Sequence, residues 1–226
     1  MAECYREVYS AQELDFPQDG VVKDGYVRPY VIFNMLSSVD GRASVKCTSP
    51  LDRRVMAQLR SLVDGVVWGG GTIRSDRIAL ALPDDLRLVK LPVGVIWTRS
   101  GNLPVDHPIF SQKRSERLIF TTQKDKIQKE IEQQARVHHV SSLVEMFIIL
   151  WQNYQIKTLL VEGGAKFNQL LLSQNIGEEV FLTLAPMLLG DETGTIVSDG
   201  LPESVKLKCR SVKQINEEVY LRYYLT

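Results

Sequence analysis

The sequence predicts an α/β protein with a mixed, mostly parallel sheet, helices on both faces and a C-terminal antiparallel hairpin. Short, nearly continuous apolar segments are typical of strands covered on both faces, and segments of helical character lie between most of them. Near the C-terminus, two segments alternate apolar and polar residues, which indicates antiparallel strands with one solvated face. Because no linker or repeat interrupts the 226 residues, we predict one domain, 1–226, with 1–27 as a loosely structured arm.

Five apolar segments predict the parallel strands. They are residues 30–36, 66–68, 93–97, 118–120 and 158–161. A further strand is predicted over 180–184, and the hairpin over 205–210 and 219–223. Helices are predicted after Ser49, over 146–150 and after the glycine pair 163–164.

Capping residues mark the start of the first helix. Ser49 can cap it, Pro50 suits its first turn, and Asp52 stands three residues after Ser49 as a capping-box partner. The helical phase then defines a buried stripe and two arginines along its edge: Val55, Leu59 and Leu62, flanked by Arg53 and Arg60.

The composition excludes several classes of function. Lys+Arg and Asp+Glu are both 27 and the pI is near 6.8, so nothing recruits the whole molecule to nucleic acid or an anionic membrane. Cys4, Cys47 and Cys209 lack metal-ligand spacing, which predicts no metal site and reduced thiols in a cytoplasmic protein. The longest apolar run, 146–151, is too short to span a bilayer. A small-molecule partner is therefore favoured.

Three glycine-bearing junctions follow predicted strands, at 40–41, 69–72 and 162–164. In open α/β sheets, ligands lie at the carboxyl ends of strands, where glycine lets a phosphate approach the backbone and a helix N-terminus offers N–H donors. Together the junctions predict one composite dinucleotide site, although each alone is more typical of an ordinary turn. Their spacing matches neither the Walker nor the GxGxxG pattern, which disfavours a P-loop kinase or a standard Rossmann enzyme.

Charged residues add to this prediction. Residues 42–77 hold seven basic and three acidic side chains, which indicates a phosphorylated ligand. Arg60 and Arg53 are better placed than Lys46 or Arg54 to present a planar fork to phosphate.

The acids Asp40, Asp76 and Glu162 stand at or close behind the junctions. An Asp beside Gly commonly accepts backbone N–H bonds from its own turn. Glu162 instead leaves a buried strand directly into two glycines, where it could order sugar or amino groups or act as an acid. The three histidines have no partners at ligand spacing and are predicted to be structural.

Five segments carry the motifs SxDGR, GxGTxxxD and LVEGG and their surroundings: RPYVIFNMLSSVDGRAS, VDGVVWGGGTIRSDRIAL, VIWTRSGNLPVDHPIF, LLVEGGAKFNQLLL and LAPMLLG. In this combination and order, the chain resembles the reductase domain of riboflavin biosynthesis. The resemblance implies a three-layer, dihydrofolate-reductase-like fold, usually homodimeric. It also implies that NADPH is used to reduce the ribosyl group of a 5′-phosphorylated diaminopyrimidine or aminouracil to a ribityl chain.

The resemblance also implies roles for particular residues. The cofactor-binding positions are Asn34, Thr72, Asp76, Thr98, Arg99, Ser100, Gly163, Gly164, Ala165 and Lys166, the last four forming the pyrophosphate turn. Substrate-contacting positions are Arg60, Leu80 and Glu162, with Arg60 as the anchor for the ribose phosphate. A ring-opened imine at C1′ must be protonated or polarised before hydride reaches it, and either Asp40 or Glu162 could supply that polarisation.

Departures from the family pattern concern the substrate side. Only residues 43–48 fill a gap in which many members carry a Gly-x-Ser-x-Trp-Ile element, and SDRIAL at 75–80 replaces the common Asp-Asp-Pro-x-Leu. No His-x-Glu or Pro-Cys-x-x-Cys motif is present, which favours a stand-alone reductase without a zinc deaminase domain. Two alternatives remain: a reductase of another heterocycle such as a pterin, for which Arg60 would be idle, and a non-catalytic nucleotide-binding module.

Overall fold

A nine-stranded mixed sheet lies at the centre of the computed structural model, which describes residues 7–43, 49–86, 91–112, 114–123, 126–190, 194–198 and 200–226. The strands are β1 (Val21–Lys23), β2 (Tyr26–Arg28), β3 (Tyr30–Ser38), β4 (Gly65–Gly69), β5 (Val93–Thr98), β6 (Arg117–Thr121), β7 (Arg136–His139), β8 (Thr158–Val161), β9 (Glu179–Ala185), β10 (Leu207–Ile215) and β11 (Glu218–Leu225). The helices are α1 (Pro50–Leu62), α2 (Gly70–Ser75), α3 (Pro108–Ser111), α4 (Lys129–Glu132), α5 (Leu143–Tyr154) and α6 (Ala165–Leu172).

The order of the strands in the sheet is β10-β11-β9-β3-β8-β4-β5-β6-β7. All pairings from β9 to β7 are parallel. The last two strands of the chain form an antiparallel hairpin on β9. The predicted fold class, a mostly parallel mixed sheet finished by a hairpin, is confirmed.

Each face of the sheet carries its own apolar core. On one face, Ile32 and Leu160 of the central strands pack with Val55 and Leu59 of α1. On the other face, Val31 packs in a core that includes residues of α5 and α6. Because successive side chains of a strand point to opposite faces, strands covered on both sides need apolar residues at nearly every position. This requirement explains the continuous apolar runs in the sequence.

Several elements differ from the prediction. The hairpin strands are longer than expected, and β7, which contains His138 and His139, was not predicted as a strand. The small separate sheet of β1 and β2 was not predicted either. Strands β7 and β10 are rich in polar residues, and β1 and β2 are only three residues long, so their strand character depends on pairing with neighbours rather than on an apolar pattern.

The expectation of a loosely structured arm is corrected for residues 7–27. Val8, Tyr9, Leu14 and Phe16 are each at most 4% exposed. The ring of Tyr9 meets that of Phe181 edge-on, at 5.2 Å between centroids. These apolar residues have no regular spacing, so periodicity could not reveal that they cover one face of the sheet.

The first helix begins as predicted, but the burial of two of its residues differs from the prediction. The Asp52 backbone N–H donates to Ser49 Oγ at 2.9 Å, which confirms Ser49 as the cap. Leu62, predicted in the buried stripe, is 43% exposed because it is the last residue of the helix. Asp52 is only 8% exposed, and the side chain of Thr183 of β9 is close enough to offset in part the rise that burial causes in its pKa. The carboxyl of Asp52 therefore faces the sheet.

A buried ion pair fastens the hairpin to the rest of the sheet. Arg222 donates to Glu179 Oε2 through Nε at 2.7 Å and through Nη2 at 2.6 Å, and both side chains are 2% exposed. The Tyr30 hydroxyl donates to the other carboxylate oxygen at 2.7 Å. Arg222 Nη1 also donates to the Glu13 carbonyl oxygen, so the same guanidinium holds the N-terminal arm.

No helix in the described ranges is both long and apolar enough to cross a membrane. Within the same ranges, no group of three or more His, Cys, Asp or Glu side chains is arranged to hold a metal ion.

Removing one partner of the buried pair is expected to destabilise the fold strongly. Arg222→Met leaves Glu179 charged and unpaired, so the free energy of unfolding should fall by about 3–5 kcal/mol. The matched control is Arg77→Met, because the side chains of Arg77 and Asp106 are 64% and 78% exposed. That change should cost less than about 1 kcal/mol. Urea unfolding checks both values, and equal losses would contradict this account.

Candidate functional site

The turns after β8, β4 and β5 lie side by side because these strands are neighbours in the sheet. The Gly69 backbone N–H donates to the Gly163 carbonyl oxygen at 3.1 Å and so joins the turns after β4 and β8. A Cβ on Gly70 would come within 2.9 Å of Thr98 Oγ1, so the turn after β4 also packs closely on β5. The structure thus brings together, at one edge of the sheet, two of the three predicted junctions, 69–72 and 162–164, which are far apart in the sequence.

The glycine pair before α6 has an unusual backbone. Gly163 and Gly164 have φ values of 117° and 95°, a region that glycine adopts without strain. Gly164 is the N-cap of α6 and provides no side-chain cap, so this helix start resembles the anion-binding termini of other α/β proteins. A Cβ on Gly163 would meet only Thr72 Oγ1, at 3.9 Å, whereas one on Gly164 would lie 2.8 Å from that atom. The turn is therefore open on one side and close to Thr72 on the other.

The other predicted cofactor residues are distributed around this turn. Thr98 is buried, and its Oγ1 accepts the Gly101 N–H at 3.2 Å, while Arg99 and Ser100 are exposed behind it. Asp76 ends α2 and is exposed, and Lys166 is exposed in the first turn of α6. Asn34 is half-buried on β3, directly after Phe33, which pairs with Val161 at the end of β8.

Glu162, directly before the glycine pair, is held by a buried arginine. Arg60 donates to Oε1 through Nε and to Oε2 through Nη2, both at 2.6 Å. The two side chains are each 6% exposed. The Trp68 indole N–H also donates to Oε2, at 3.1 Å. Two-point pairing and a third donor fix the position of this carboxylate.

Because Arg60 pairs with Glu162, only part of its hydrogen-bonding capacity is left for a substrate. Arg60 Nη1 also donates to the Ala79 carbonyl oxygen at 3.1 Å, next to Leu80, whose side chain is 1% exposed. An arginine has five N–H donors, so one N–H remains on each terminal nitrogen of Arg60 for a ligand. Arg53, the other arginine predicted to bind phosphate, is exposed on the outer side of α1.

The Asp40 carboxylate joins the turn after β3 to residues 189–190 by hydrogen bonds. Its carboxylate accepts the Ser38 hydroxyl at 2.5 Å, the Gly190 N–H at 2.8 Å and the Leu189 N–H at 3.1 Å. These bonds, that from Ser38 most of all, lower the pKa of Asp40 to about 2. The carboxylate therefore remains ionised near neutral pH, which disfavours Asp40 as a proton donor. Residues 44–48 of the shortened substrate loop, including Lys46 and Cys47, lie outside the described residues, as does Cys4.

Two of the histidines have structural roles, as predicted. His107 is 2% exposed; its Nδ1 accepts the Ile109 N–H at 3.2 Å, and its Nε2 lies 2.7 Å from the Asp76 carbonyl oxygen. His138 bonds to the Tyr154 hydroxyl and stacks on Phe120. His107 thereby ties α3 to the end of α2, which carries Asp76.

Sequence reasoning missed two polar residues of the site. Trp68 was treated only as part of a strand, although a buried indole N–H needs an acceptor and Glu162 provides it. The sequence marks Asp52 only as the capping-box partner of Ser49. Burial raises the pKa of Asp52 most; the Thr183 side chain and the charge of Arg53 lower it in part, and the charges of Glu218 and Glu162 raise it. The spacing of Asp52 from Ser49 had a sufficient local explanation, so no signal pointed to the site.

Comparison with known proteins assigns the family. The model of the RibD C-terminal domain matches residues 29–221. A 2,5-diamino-6-ribosylamino-4(3H)-pyrimidinone 5′-phosphate reductase of Aquifex aeolicus is 31% identical over 181 residues, which cover 73% of this chain and 80% of that protein.

Solved structures agree at the level of the fold. RibD of Acinetobacter baumannii superimposes with a TM-score of 0.77 at 24% identity, over 88% of this chain and 58% of that one. The riboflavin biosynthesis reductase Rib7 of Saccharomyces cerevisiae gives a TM-score of 0.73 at 23% identity, over 91% and 93% of the two chains. Because the family model matches residues 29–221, most of the chain, the chain belongs to the RibD C-terminal domain family.

Proposed function

We propose that this chain is an NADPH-dependent reductase of riboflavin biosynthesis. Its substrate would be a 5′-phosphorylated diaminopyrimidine or aminouracil, whose ribosyl group it reduces to a ribityl chain. The family and the name of the Aquifex aeolicus relative support the reaction and the class of substrate. We further propose that residues 1–226 act as one reductase domain.

A single observation carries the proposal: a fixed carboxylate stands directly before a glycine turn that is open to a phosphate. Arg60 and Trp68 donate hydrogen bonds to the Glu162 carboxylate. The next two residues, Gly163 and Gly164, form the turn that leads into α6, with Gly164 as its N-cap. A substrate beside Glu162 and a dinucleotide on the turn would therefore lie next to each other. Such proximity is what hydride transfer between two bound molecules requires.

The residues of the turn fit a dinucleotide cofactor. A Cβ on Gly163 would have only Thr72 Oγ1 near it, at 3.9 Å, and the start of α6 suits the negative charge of a pyrophosphate. Thr72 would contact the same group, and the exposed Arg99 would pair with the 2′-phosphate that distinguishes NADPH. When bound there, NADPH supplies the hydride.

The acids of the site would favour the reactive form of the substrate. Ring opening of the ribosylamine leaves an imine between C1′ and nitrogen, and this imine accepts hydride most readily when the nitrogen is protonated. Hydride at C1′ then converts the protonated imine into a neutral secondary amine, so no further proton is needed. Asp40 is ionised and Glu162 is paired with Arg60, so each would act by its negative charge, which raises the proton affinity of a nearby imine.

The remaining N–H groups of Arg60 would bind the ribose phosphate, with Leu80 packing beside the substrate. Binding at this distant phosphate would help to hold C1′ in place for reduction. We also propose that the enzyme is a cytoplasmic homodimer without a nucleic-acid or membrane partner. The zero net charge supports the absence of a nucleic-acid or membrane partner, and the family resemblance supports the homodimer.

Oxidation of NADPH tests the proposed function. Purified protein should consume NADPH, followed by its absorbance, with the phosphorylated ribosylaminopyrimidine in either its amino or its deaminated form. Dihydrofolate, which lacks the phosphate that Arg60 would bind, should give no consumption. Binding of NADPH without consumption of any substrate would instead support a non-catalytic module, and consumption with dihydrofolate a pterin reductase.

Replacing both acids by their amides is expected to lower turnover. The double variant Asp40→Asn, Glu162→Gln keeps the shapes of the side chains but removes the negative charges that favour the protonated imine. The value of kcat should fall by about 100-fold or more, in the range usual for the loss of an electrostatic contribution to the transition state. Steady-state kinetics at saturating NADPH measures it, with a thermal melt as a check on folding. Unchanged turnover in a folded double variant would refute this mechanism.

A side chain at the N-cap of α6 should weaken cofactor binding. Gly164→Ala puts a Cβ 2.8 Å from Thr72 Oγ1 and forces alanine to a φ of 95°. The Kd for NADPH should rise about tenfold or more, because the pyrophosphate turn must shift. Gly25→Ala is the matched control: its φ is 83°, and no atom lies within 4 Å of the added Cβ. Fluorescence titration with NADPH compares them, and equal Kd values would contradict the assignment of the turn.

A further inference from the structure

Asp52 is a buried carboxyl that the mechanism above does not use. Its side of α1 faces the sheet, because Val55 and Leu59, three and seven residues later, are buried in the core on that face. At 8% exposure the carboxyl has little access to water. Burying an ionisable group is costly even in the first turn of a helix, so the position of Asp52 calls for a function.

The topology puts Asp52 at the ligand-binding edge of the sheet. Helix α1 connects the parallel strands β3 and β4, so its N-terminal turn, which contains Asp52, lies near the carboxyl ends of the strands. Thr183, whose side chain partly offsets the rise that burial causes in the pKa of Asp52, lies in β9, two residues after Phe181 and on the same face of the sheet. In register, Thr183 stands beside Leu36 of β3.

The sheet is partly open beneath this turn of the helix. On β3, Ile32 is fully buried, but Asn34 and Leu36, which follow it on the same face, are only partly buried. Glu162 leaves β8 on this face as well, since Leu160 packs in the same core. Burial raises the pKa of Asp52 most and the charge of Glu162 adds to it, in keeping with a position of Asp52 on this side of the sheet. Asp52 thus borders the proposed substrate position.

The pyrimidine ring presents an edge that suits a carboxylate. The name of the Aquifex aeolicus relative describes the ring of that enzyme's substrate, which carries a 2-amino group and a hydrogen on N3. These two groups are adjacent donors, and a carboxylate accepts such a pair with both oxygens. In the deaminated aminouracil, a C2 carbonyl replaces the amino group, and this second acceptor would face the carboxylate without a hydrogen bond.

We propose that Asp52 binds the 2-amino and N3–H edge of the pyrimidine ring and thereby selects the diaminopyrimidine over the deaminated aminouracil. This inference rests on the proposed function and specifies its substrate. Thr183 positions the carboxyl, and Glu162 and Arg60 remain with the ribosyl end of the substrate. Selection arises as much from the unpaired carbonyl of the wrong ring as from the two bonds to the right one.

The amide of asparagine reverses one half of this recognition. In Asp52→Asn, the side-chain oxygen can still accept from N3–H, while the NH₂ group can donate to the C2 carbonyl of the aminouracil. The variant should therefore lose preference for the diaminopyrimidine and gain activity on the aminouracil. A change that merely damaged the fold would lower both activities together.

The test is the ratio of kcat/KM for the two phosphorylated substrates, measured with NADPH. Wild-type protein should prefer the diaminopyrimidine by about tenfold or more, and Asp52→Asn should lower that ratio by about tenfold or more. Asp106→Asn is the control, because this carboxylate is 78% exposed and removes the same charge; its ratio should equal that of the wild type. An unchanged ratio in Asp52→Asn would overturn the proposal, as would an equal loss of both activities in a folded variant.

A second arm needs no variant. The Kd values of the two ribityl phosphate products for wild-type protein should differ by about tenfold in favour of the diamino ring; equal values, or the reverse order, would overturn the proposal. Failure here is distinct from failure of the proposed function. If wild-type protein oxidises NADPH with both substrates equally, it is the reductase but Asp52 does not select; if it oxidises NADPH with neither, the proposed function itself fails.

Discussion

The candidate site depends on the buried pair of Arg60 and Glu162. Removing a guanidinium and a carboxylate from water is costly, and the cost is offset only when the geometry is good and the remaining donors find acceptors. Here the two groups share two bonds, Trp68 adds a third donor to Glu162, and the Ala79 carbonyl accepts from Arg60. One ion pair therefore ties α1, β4, β8 and the segment before Leu80 to one another.

That rigidity matters because Glu162 is adjacent in the chain to a backbone that must remain open. The turn at Gly163 and Gly164 has positive φ values and no side chains, so it has little packing of its own to keep its shape. It is bounded by Glu162, which is fixed by three hydrogen bonds, and by α6, whose Phe167 packs in the core. A well-anchored residue on each side lets the turn offer its backbone to a ligand without losing its conformation.

Three carboxyls near this edge of the sheet differ in their surroundings. Asp40 accepts bonds from backbone N–H groups and a hydroxyl, which stabilise its charge and lower its pKa to about 2. Glu162 forms an ion pair with Arg60, which holds its carboxylate in place. Asp52 is buried, and burial raises its pKa because its environment provides less compensation. Similar side chains thus acquire different chemical roles: a loop anchor, a fixed charge and a candidate for recognition of the substrate.

Local sequence features explain which predictions succeeded. The central strands were predictable because a strand covered on both faces must be apolar throughout, and Ser49 was predictable because a helix start needs an acceptor for its free N–H groups. Strand β7 and residues 7–27 were not, since their order comes from neighbours that are distant in sequence. The same limitation applied to Leu62: the helical phase is local, but the point at which the helix leaves the sheet is not.

By itself, the sequence determined the fold class, the family and the three junctions with glycine, because these depend on short-range patterns of polarity and backbone freedom. Only the tertiary structure decided that the arginine at position 60 pairs with Glu162, that Asp40 is occupied by the loop at 189–190, and that Asp52 faces Thr183. These partners lie more than a hundred residues apart in the chain, and a side chain's charge state and hydrogen bonds depend on what surrounds it in space. The physical reason is that burial and pairing are properties of the packed sheet edge, whereas periodicity and capping are properties of a segment.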